Sequence, residues 1–198
     1  GDMLVTIEGQ RFRVPVFGRY QVYNLLAAYA IFKTAGYSFE SVDTEAIHLA
    51  TAPMRGEEII SREVTFVADC YNANPDSVKA GLQSFAERAD GDRRLVILGD
   101  MLELGEEAER YHSEMGRLVA GHKFDLAVMV GPMSAHAADA AIEAGMKGDR
   151  VWHYASAEVC ASEMKEILRA GDLVYIKGSR GIGLEKILTA WQSEGGNA

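Results

Sequence analysis

The sequence predicts an α/β fold: a Rossmann-like, doubly wound and mostly parallel sheet, preceded by a partial segment of a neighbouring domain. Two observations favour this prediction. Short, almost wholly apolar runs alternate with amphipathic helical stretches from about residue 54 to the end of the chain. Uniformly apolar strands indicate burial on both faces of a sheet, and right-handed crossovers then place helices on both sides.

Composition limits the classes of partner. The chain has 198 residues, of which 48% are hydrophobic and 25% charged, as in a globular protein. Its net charge of −9 predicts no nucleic-acid or anionic-membrane partner, since both need a basic surface. No apolar run is long enough for a membrane span and no leader is recognisable, so we expect a cytoplasmic protein. Cys70 and Cys160 match no metal spacing and are expected to be reduced thiols.

Residues 1–52 form the first predicted segment, the C-terminal remnant of another domain. Its predicted hairpin and two helices bury too little apolar surface to fold alone, so they indicate the edge of something larger. We therefore expect an apolar helix face there, with a tendency to self-associate. The predicted elements are strands over 4–8 and 11–16 joined at Gly9-Gln10, and helices over 22–35 and 41–50.

Residues 53–198 form the second predicted segment, the complete α/β domain. Gly, Pro and polar clusters separate its apolar and amphipathic runs. The predicted strands are 58–61, 64–69, 95–98, 126–130, 151–154 and 173–176, and the predicted helices are 75–88, 106–120, 134–144, 157–169 and 184–191.

In open α/β sheets the ligand crevice lies beyond the carboxyl ends of the strands, and the first polar loop there follows residue 69. Asn74 and Pro75 suit the cap and first position of the next helix. Capping does not require Asp69, Tyr71 and Asn72 as well. A carboxylate that ends an apolar strand must find donors or a ligand. Two interpretations of this loop therefore remain: it binds a ligand, or it only caps the next helix.

The second polar loop, residues 177–183, follows the last strand and opens the last helix. Backbone N–H groups and the helix dipole receive anions at such a position, and Lys177 and Arg180 add positive charge. A carboxylate or phosphate is the expected guest, although a tight turn with incidental charge is the alternative. Leu184-Glu185 stands where a nucleotide P-loop has Lys and then Ser or Thr, so the loop is not a P-loop.

A third loop contains Asp100 and Glu103, which are expected either to bind a cation or ammonium group or to cap the helix that begins near Glu106. The five histidines show no zinc-ligand spacing, and no Gly-x-Ser-x-Gly motif indicates a nucleophile. We therefore predict no metal site and no catalytic residue in this chain. From the residues alone, the crevice suits a small zwitterionic or anionic ligand.

Several strings together resemble the Mur ligase family, and the chain is similar to the C-terminal part of its members over almost its whole length. Their order along the chain is that of the family. The strings are Gly18-Arg19-Tyr20-Gln21-Val22-Tyr23-Asn24, Met54-Arg55-Gly56-Glu57, Asp69-Cys70-Tyr71-Asn72-Ala73-Asn74-Pro75, Leu98-Gly99-Asp100-Met101-Leu102-Glu103 and Lys177-Gly178-Ser179-Arg180.

The resemblance implies an ATP-dependent ligase that joins D-Ala-D-Ala to UDP-MurNAc-tripeptide through an acyl phosphate, with ATP and Mg²⁺ bound mainly by a central domain. The chain alone is expected to be inactive. Tyr20-Gln21 replaces the family's His-Asn, which alters the expected adenine contacts. By analogy the ATP-binding residues are Gln21, Asn24, Arg55 and Asp69, and the substrate-binding residues are Tyr71, Asn72, Asn74, Lys177, Ser179 and Arg180.

Two alternatives remain from the sequence. One is another Mur or folylpolyglutamate-type ligase that adds a single amino acid, although the Tyr71-Asn72-Ala73-Asn74 string favours the dipeptide. The other is a stand-alone Rossmann-like module that binds a small molecule and has no enzymatic role.

Overall fold

The computed structural model describes residues 3–14, 17–18, 20–38, 52–88 and 93–193. The strands in these ranges are β1 (Met3–Ile7), β2 (Gln10–Val14), β3 (Glu57–Ser61), β4 (Val64–Asp69), β5 (Arg93–Gly99), β6 (Leu126–Val130), β7 (Val151–Tyr154) and β8 (Asp172–Lys177). The helices are α1 (Tyr20–Thr34), α2 (Pro75–Ala86), α3 (Ala108–Gly121), α4 (Ser134–Glu143), α5 (Ala157–Ser162), α6 (Met164–Ile167) and α7 (Glu185–Ser193).

The main sheet has six strands in the order β3-β4-β8-β5-β6-β7. β3 and β4 form an antiparallel hairpin, and every other neighbouring pair is parallel. The hairpin turns at Arg62 and Glu63, both with positive φ, which is the backbone geometry of a two-residue type I′ turn. The predicted mostly parallel sheet is confirmed.

The sheet buries a separate apolar layer on each face, as a doubly wound fold requires. One layer packs β-strand residues such as Phe66 and Ile97 against α5, α6 and α7. The other packs Val96, Met129 and Tyr175 against α2, α3 and α4. Successive residues of one strand enter opposite layers, which explains why the four central strands are mostly apolar.

The N-terminal hairpin and α1 form a smaller unit whose core is Val5, Ile7 and Val14 under Val22, Leu25 and Tyr29 of the helix. Phe17 links this unit to the main domain, because its ring centroid is 5.5 Å from that of Tyr175. Leu26 and Ile31 on α1 are exposed. Self-association through them stays a prediction, and the predicted helix over 41–50 lies outside the described residues.

Most observed boundaries lie within two residues of prediction, and two of the differences have a clear physical cause. The first hairpin turns at Glu8-Gly9 rather than Gly9-Gln10, because both residues adopt the positive φ of a type I′ turn and Ile7 pairs with Gln10. The helix predicted over 157–169 breaks at Glu163 and ends at Ile167. It ends there because a guanidinium N–H of Arg93 donates to the carbonyl of Ile167 and the Arg169 N–H donates to the Asp172 carboxylate.

Candidate functional site

The strand order brings the three polar loops together. β8 is the last strand along the chain, but it lies between β4 and β5. Because all three strands are parallel, the loops that follow Asp69, Lys177 and Gly99 leave the same edge of the sheet side by side. This edge is the carboxyl end at which α/β sheets bind ligands, so the expected position of the crevice agrees with the observed topology.

Lys177 is buried beside Asp69 at this edge. Its ammonium group donates to Oδ2 of Asp69 at 2.8 Å and to the carbonyl oxygen of Asn72 at 3.1 Å. The Tyr175 hydroxyl also donates to Oδ2 of Asp69 at 2.8 Å. A buried charge needs an opposite charge and further hydrogen bonds, and this arrangement supplies both. The geometry therefore gives Lys177 the task of holding the loop after β4, and it favours Arg180 as the cation that faces a ligand.

Ser179 ties the loop after β8 to the loop after β5. Its N–H donates to the carbonyl of Asp100 at 3.0 Å, and its hydroxyl oxygen accepts from the N–H of Leu102 at 2.9 Å. The residue is buried, so its hydroxyl serves the architecture of the crevice. Arg180, the next residue, is exposed at the mouth of the same crevice.

Asp100 caps α4, and the expectation that it or Glu103 caps the helix near Glu106 is wrong. Its carboxylate accepts from the N–H and the hydroxyl of Ser134, at 2.7 and 2.6 Å, and from the N–H of Met133. Gly131 makes room for this group, because a Cβ there would lie 2.5 Å from the Asp100 carboxyl carbon. The start of α3 has no side-chain cap. Asp100 is therefore fully engaged in structure.

His112 is a buried structural residue behind the same loop. Its Nε2 accepts from the N–H of Met101 at 3.0 Å, so Nδ1 carries the proton and donates to the carbonyl of Ala108 at 2.6 Å. The imidazole is held in one neutral tautomer and supports the backbone that carries the Asp100 loop.

The capping interpretation of the loop after β4 is confirmed for Asn74. Its side-chain oxygen accepts from the N–H of Ser77 at 2.8 Å, and the Ser77 hydroxyl oxygen accepts from the N–H of Asn74 at 3.0 Å. This pair of hydrogen bonds is a capping box. The Asn72 side chain accepts from the N–H of Ala73 at 2.8 Å. Capping thus explains the two asparagines, whereas it leaves the exposed Tyr71 ring unexplained.

The Tyr71 ring is in contact with both of the predicted anion-binding arginines. The guanidinium carbon of Arg55 is 4.1 Å from the centre of the Tyr71 ring, and that of Arg180 is 5.2 Å from it. An open pocket of about 330 Å³ lies beside them. Its lining combines a cation, a carboxylate and apolar groups: Ala52, Pro53, Met54, Cys70, Tyr71, Arg180 and Glu185. A cation, a carboxylate and apolar walls complement the opposite charges and apolar side chains of a small zwitterion.

Cys70 lines this pocket but is not a nucleophile at neutral pH. Burial raises the pKa of its thiol to about 12, and burial raises that of Cys160 to about 12 as well. A thiol rather than a thiolate is present under these conditions, and the thiol is the unreactive form.

Some site residues lie elsewhere or were not predicted. Gln21 and Asn24 bond to each other on the exposed side of α1, through Nδ2 of Asn24 and Oε1 of Gln21 at 2.8 Å. Tyr175 and Glu185 are new members of the site. Tyr175 was signalled by its hydroxyl, which needs a partner in an otherwise aliphatic strand. Glu185 had no such signal, because its place on the pocket wall depends on the path of α7.

Within the described ranges, no group of three or more His, Cys, Asp or Glu side chains could hold a metal ion. No helix among the same residues is long and apolar enough to cross a membrane.

Comparison with known proteins adds a family to this geometry. Residues 54–180 match the family model described as Mur ligase, glutamate ligase domain. Over 186 residues the chain is 34% identical to the UDP-N-acetylmuramoyl-tripeptide–D-alanyl-D-alanine ligase of Bacillus subtilis, covering 92% of this chain and 40% of that protein. The chain thus spans about two fifths of the length of this relative.

Solved structures show the same fold. The crystal structure of MurF from Acinetobacter baumannii superposes with a TM-score of 0.79 at 23% identity, covering 97% of this chain and 42% of that one. MurF from Thermotoga maritima in complex with ADP superposes with a TM-score of 0.76 at 20% identity, covering 97% and 45%. At these identities the likeness concerns the fold.

Proposed function

Since the chain belongs to the Mur ligase family through its glutamate ligase domain, we propose that it is the C-terminal part of an ATP-dependent ligase that joins D-Ala-D-Ala to UDP-MurNAc-tripeptide. The curated relatives that cover about nine tenths of the chain carry that activity in their names. The observation that carries the proposal is the pocket at the crevice mouth, where Arg180, Tyr71 and Glu185 surround a space suited to a small zwitterion.

The reaction would proceed in two steps. The carboxylate of the tripeptide attacks the terminal phosphate of ATP, which gives an acyl phosphate and ADP. The amine of the dipeptide then attacks the acyl carbon, an amide bond forms, and phosphate leaves with the bonding electrons of the C–O bond. The contribution of this chain would be to hold the amine close to the acyl carbon, which is catalysis by positioning.

Each predicted site residue has a proposed role. Arg180 faces the dipeptide carboxylate, and a charge-assisted contact of this kind contributes roughly 1.5–3 kcal/mol. Lys177 positions the loop after β4 rather than contacting ligand. The other proposed roles are adenine contacts for Gln21 and Asn24, phosphate or ribose contacts for Arg55, a ribose contact for Asp69, and dipeptide-binding loops formed by Tyr71, Asn72, Asn74 and Ser179.

The remaining parts of the proposal concern the complete protein. Residues 1–52 would be the end of its ATP-binding domain and residues 53–198 its acceptor-binding domain; a family match that begins at residue 54 supports this division. The Mg²⁺ that accompanies ATP would be held mainly by the central domain of the complete protein. The expected cytoplasmic location stays a prediction.

Product formation tests the proposal. The complete protein is incubated with ATP, UDP-MurNAc-tripeptide and either D-Ala-D-Ala, L-Ala, D-Glu or a diamino acid. We expect one ADP and one amide product per dipeptide consumed, and no product from the 198-residue chain alone. Preference for a single amino acid would contradict the dipeptide assignment. Turnover by the chain alone would contradict the proposal that the ATP-binding machinery lies mainly outside this chain. Tight binding of an unrelated metabolite to the chain in calorimetry would instead support a stand-alone module.

A further inference from the structure

Two arginines share one exposed aromatic ring at the mouth of the crevice. The guanidinium carbons of Arg55 and Arg180 lie 4.1 and 5.2 Å from the centre of the Tyr71 ring. Arg55 precedes β3 and Arg180 follows β8, so they are distant in sequence, and only the fold brings them to the same side chain. Both are exposed, as is Tyr71, whose exposed fraction is 40%.

The backbone around Arg55 is held against β4. The N–H of Gly56 donates to the carbonyl of Ala68 at 2.9 Å, and the N–H of Tyr71 donates to the carbonyl of Met54 at 3.1 Å. These two hydrogen bonds bracket Arg55 and lead into the β3–β4 ladder. The arginine is therefore presented from a turn that is hydrogen-bonded to β4 and the loop after it, rather than from a free linker.

The backbone around Arg180 is held as firmly from the other side. The preceding residue, Ser179, bonds to the loop after β5 through both its N–H and its hydroxyl. The N–H of Gly183 donates to the carbonyl of Arg180 at 3.1 Å and closes a 3₁₀ turn. Gly183 has a φ of 72°, the left-handed conformation that glycine adopts without strain.

Tyr71 itself is carried by the loop that Lys177 holds. The ammonium of Lys177 contacts Asp69 and the carbonyl of Asn72, on either side of the Cys70–Tyr71 pair. The ring thus projects from a segment that hydrogen bonds hold on both sides, and the residue is still exposed. All three side chains start from backbone positions that hydrogen bonds define.

Two neighbouring guanidinium groups repel each other unless something compensates for their charge. The negative face of an aromatic ring attracts each of them, and at exposed sites such a contact contributes about 0.5–1 kcal/mol. Held in this way, the two guanidinium groups can bind two negatively charged groups of the ligands at the crevice mouth. This local positive charge is needed because the chain as a whole has a net charge of −9 and repels anions.

We propose that Tyr71 is a positioning residue whose ring holds Arg55 and Arg180 together. One side chain then positions both Arg55, which faces the ATP phosphates, and Arg180, which faces the dipeptide carboxylate. This inference rests on the proposed function for the identity of the two anions. The ring face, rather than the phenol hydroxyl, carries the effect. Tyr71→Phe should therefore preserve it, whereas Tyr71→Leu should remove it.

The first test concerns the stacking and uses the 198-residue chain. The side-chain Nε–H resonances of Arg55 and Arg180 are assigned by NMR in wild type, Tyr71→Phe and Tyr71→Leu. We expect both resonances to be displaced by the ring current in the wild type and in the Phe variant, and both to return to ordinary values in the Leu variant. Undisplaced resonances in the wild type would overturn the inference.

The second test concerns the consequence and uses the complete protein. Tyr71→Leu should raise the KM for ATP and the KM for D-Ala-D-Ala, each by about two- to fivefold, with kcat changed less than about twofold and the melting temperature unchanged. Tyr71→Phe should raise both KM values much less than Tyr71→Leu does, because it keeps the ring face. Tyr111→Leu is the matched control, since it removes a comparable stack with Arg110 at 4.1 Å on α3; both KM values should stay at the wild-type level.

The outcomes separate this inference from the proposed function. A Leu variant that changes only one KM, or a Phe variant that is as impaired as the Leu variant, would overturn the shared-ring role. A wild-type protein that does not ligate D-Ala-D-Ala would overturn the proposed function instead. In that case the NMR comparison still decides whether Tyr71 holds both arginines.

Discussion

The ammonium of Lys177 donates to Oδ2 of Asp69 at 2.8 Å, and this ion pair joins the ends of two neighbouring parallel strands. The side chains are 3% and 10% exposed, so both charges are largely withdrawn from water. The same ammonium holds the carbonyl of Asn72. One buried cation thereby sets the course of the loop that carries Tyr71.

Replacing Lys177 by Met should destabilise the chain strongly. The variant would leave the Asp69 carboxylate buried without its ammonium partner, and breaking a buried ion pair costs roughly 3–5 kcal/mol. Urea unfolding of wild type and Lys177→Met measures the difference. Lys186→Met is the control, because Lys186 pairs with Glu158 on the exposed surface, where the loss should be small.

A double variant separates the buried charge from the lost packing. Lys177→Met combined with Asp69→Asn removes both charges and should be less destabilising than Lys177→Met alone. The contrary outcome is additivity: Asp69→Asn would lower the free energy of unfolding by the same amount in the wild type and in Lys177→Met. The two residues would then not interact, and the ion pair would have no part in the stability of the loop.

Gly116 should be irreplaceable in α3, whereas Gly121 should not be. A Cβ at Gly116 would lie 2.1 Å from the carbonyl oxygen of Ala137 in α4, so Gly116→Ala forces the two helices apart and should cost about 1–3 kcal/mol. A Cβ at Gly121 meets nothing within 4 Å, and alanine favours helix, so Gly121→Ala should be neutral or stabilising. Thermal unfolding checks both; equal effects would contradict the close helix contact.

Stability should fall as pH drops below the ordinary pKa of histidine, in part because of His122. Burial lowers its pKa below the usual value of 6.5, so the unfolded chain binds a proton more readily than the folded chain does. The contribution of His122 to the free energy of unfolding is fully present above about pH 6.5 and is lost as the pH falls through the pKa of His122 in the folded chain. Melting temperatures between about pH 7.5 and 5.5 should show a shallower decline for His122→Gln, and an unchanged slope would exclude this residue.

The two thiols should react slowly in the native chain. Burial raises the pKa of Cys70 and of Cys160 to about 12, so almost no thiolate exists at pH 8. Ellman's reagent at that pH should label two thiols rapidly in urea and neither of them rapidly without it. A native thiol that reacts at the unfolded rate would show that one of these side chains is open to solvent.

Local pattern was enough to predict the alternation of strands and helices and the two loops that carry Tyr71 and Arg180. Apolar periodicity is a property of neighbouring residues, and burial on both faces follows from it. The insertion of β8 between β4 and β5 is different, because strand order depends on crossovers between distant segments. Lys177 therefore looked like a free cation in the sequence, although the neighbouring strand supplies Asp69 as its partner.

The role of Asp100 was missed for the same reason. From the sequence its nearest helix terminus is that of the helix after it, and acids favour such positions. In the folded chain β6 lies beside β5, which brings the start of α4 next to Asp100. The N–H of Ser134 therefore donates to the Asp100 carboxylate. Turn boundaries such as Glu8-Gly9 differ by one residue because positive φ at both positions selects the turn.

In the proposed enzyme the loop after β8 faces the carboxylate of the dipeptide, and the KM values of Arg180→Ala in the complete protein measure that contact. We expect the KM for D-Ala-D-Ala to rise roughly tenfold or more while the KM for ATP changes much less. Arg117→Ala, on the exposed side of α3, should leave both unchanged. A rise in the KM for ATP alone would contradict the placement of Arg180.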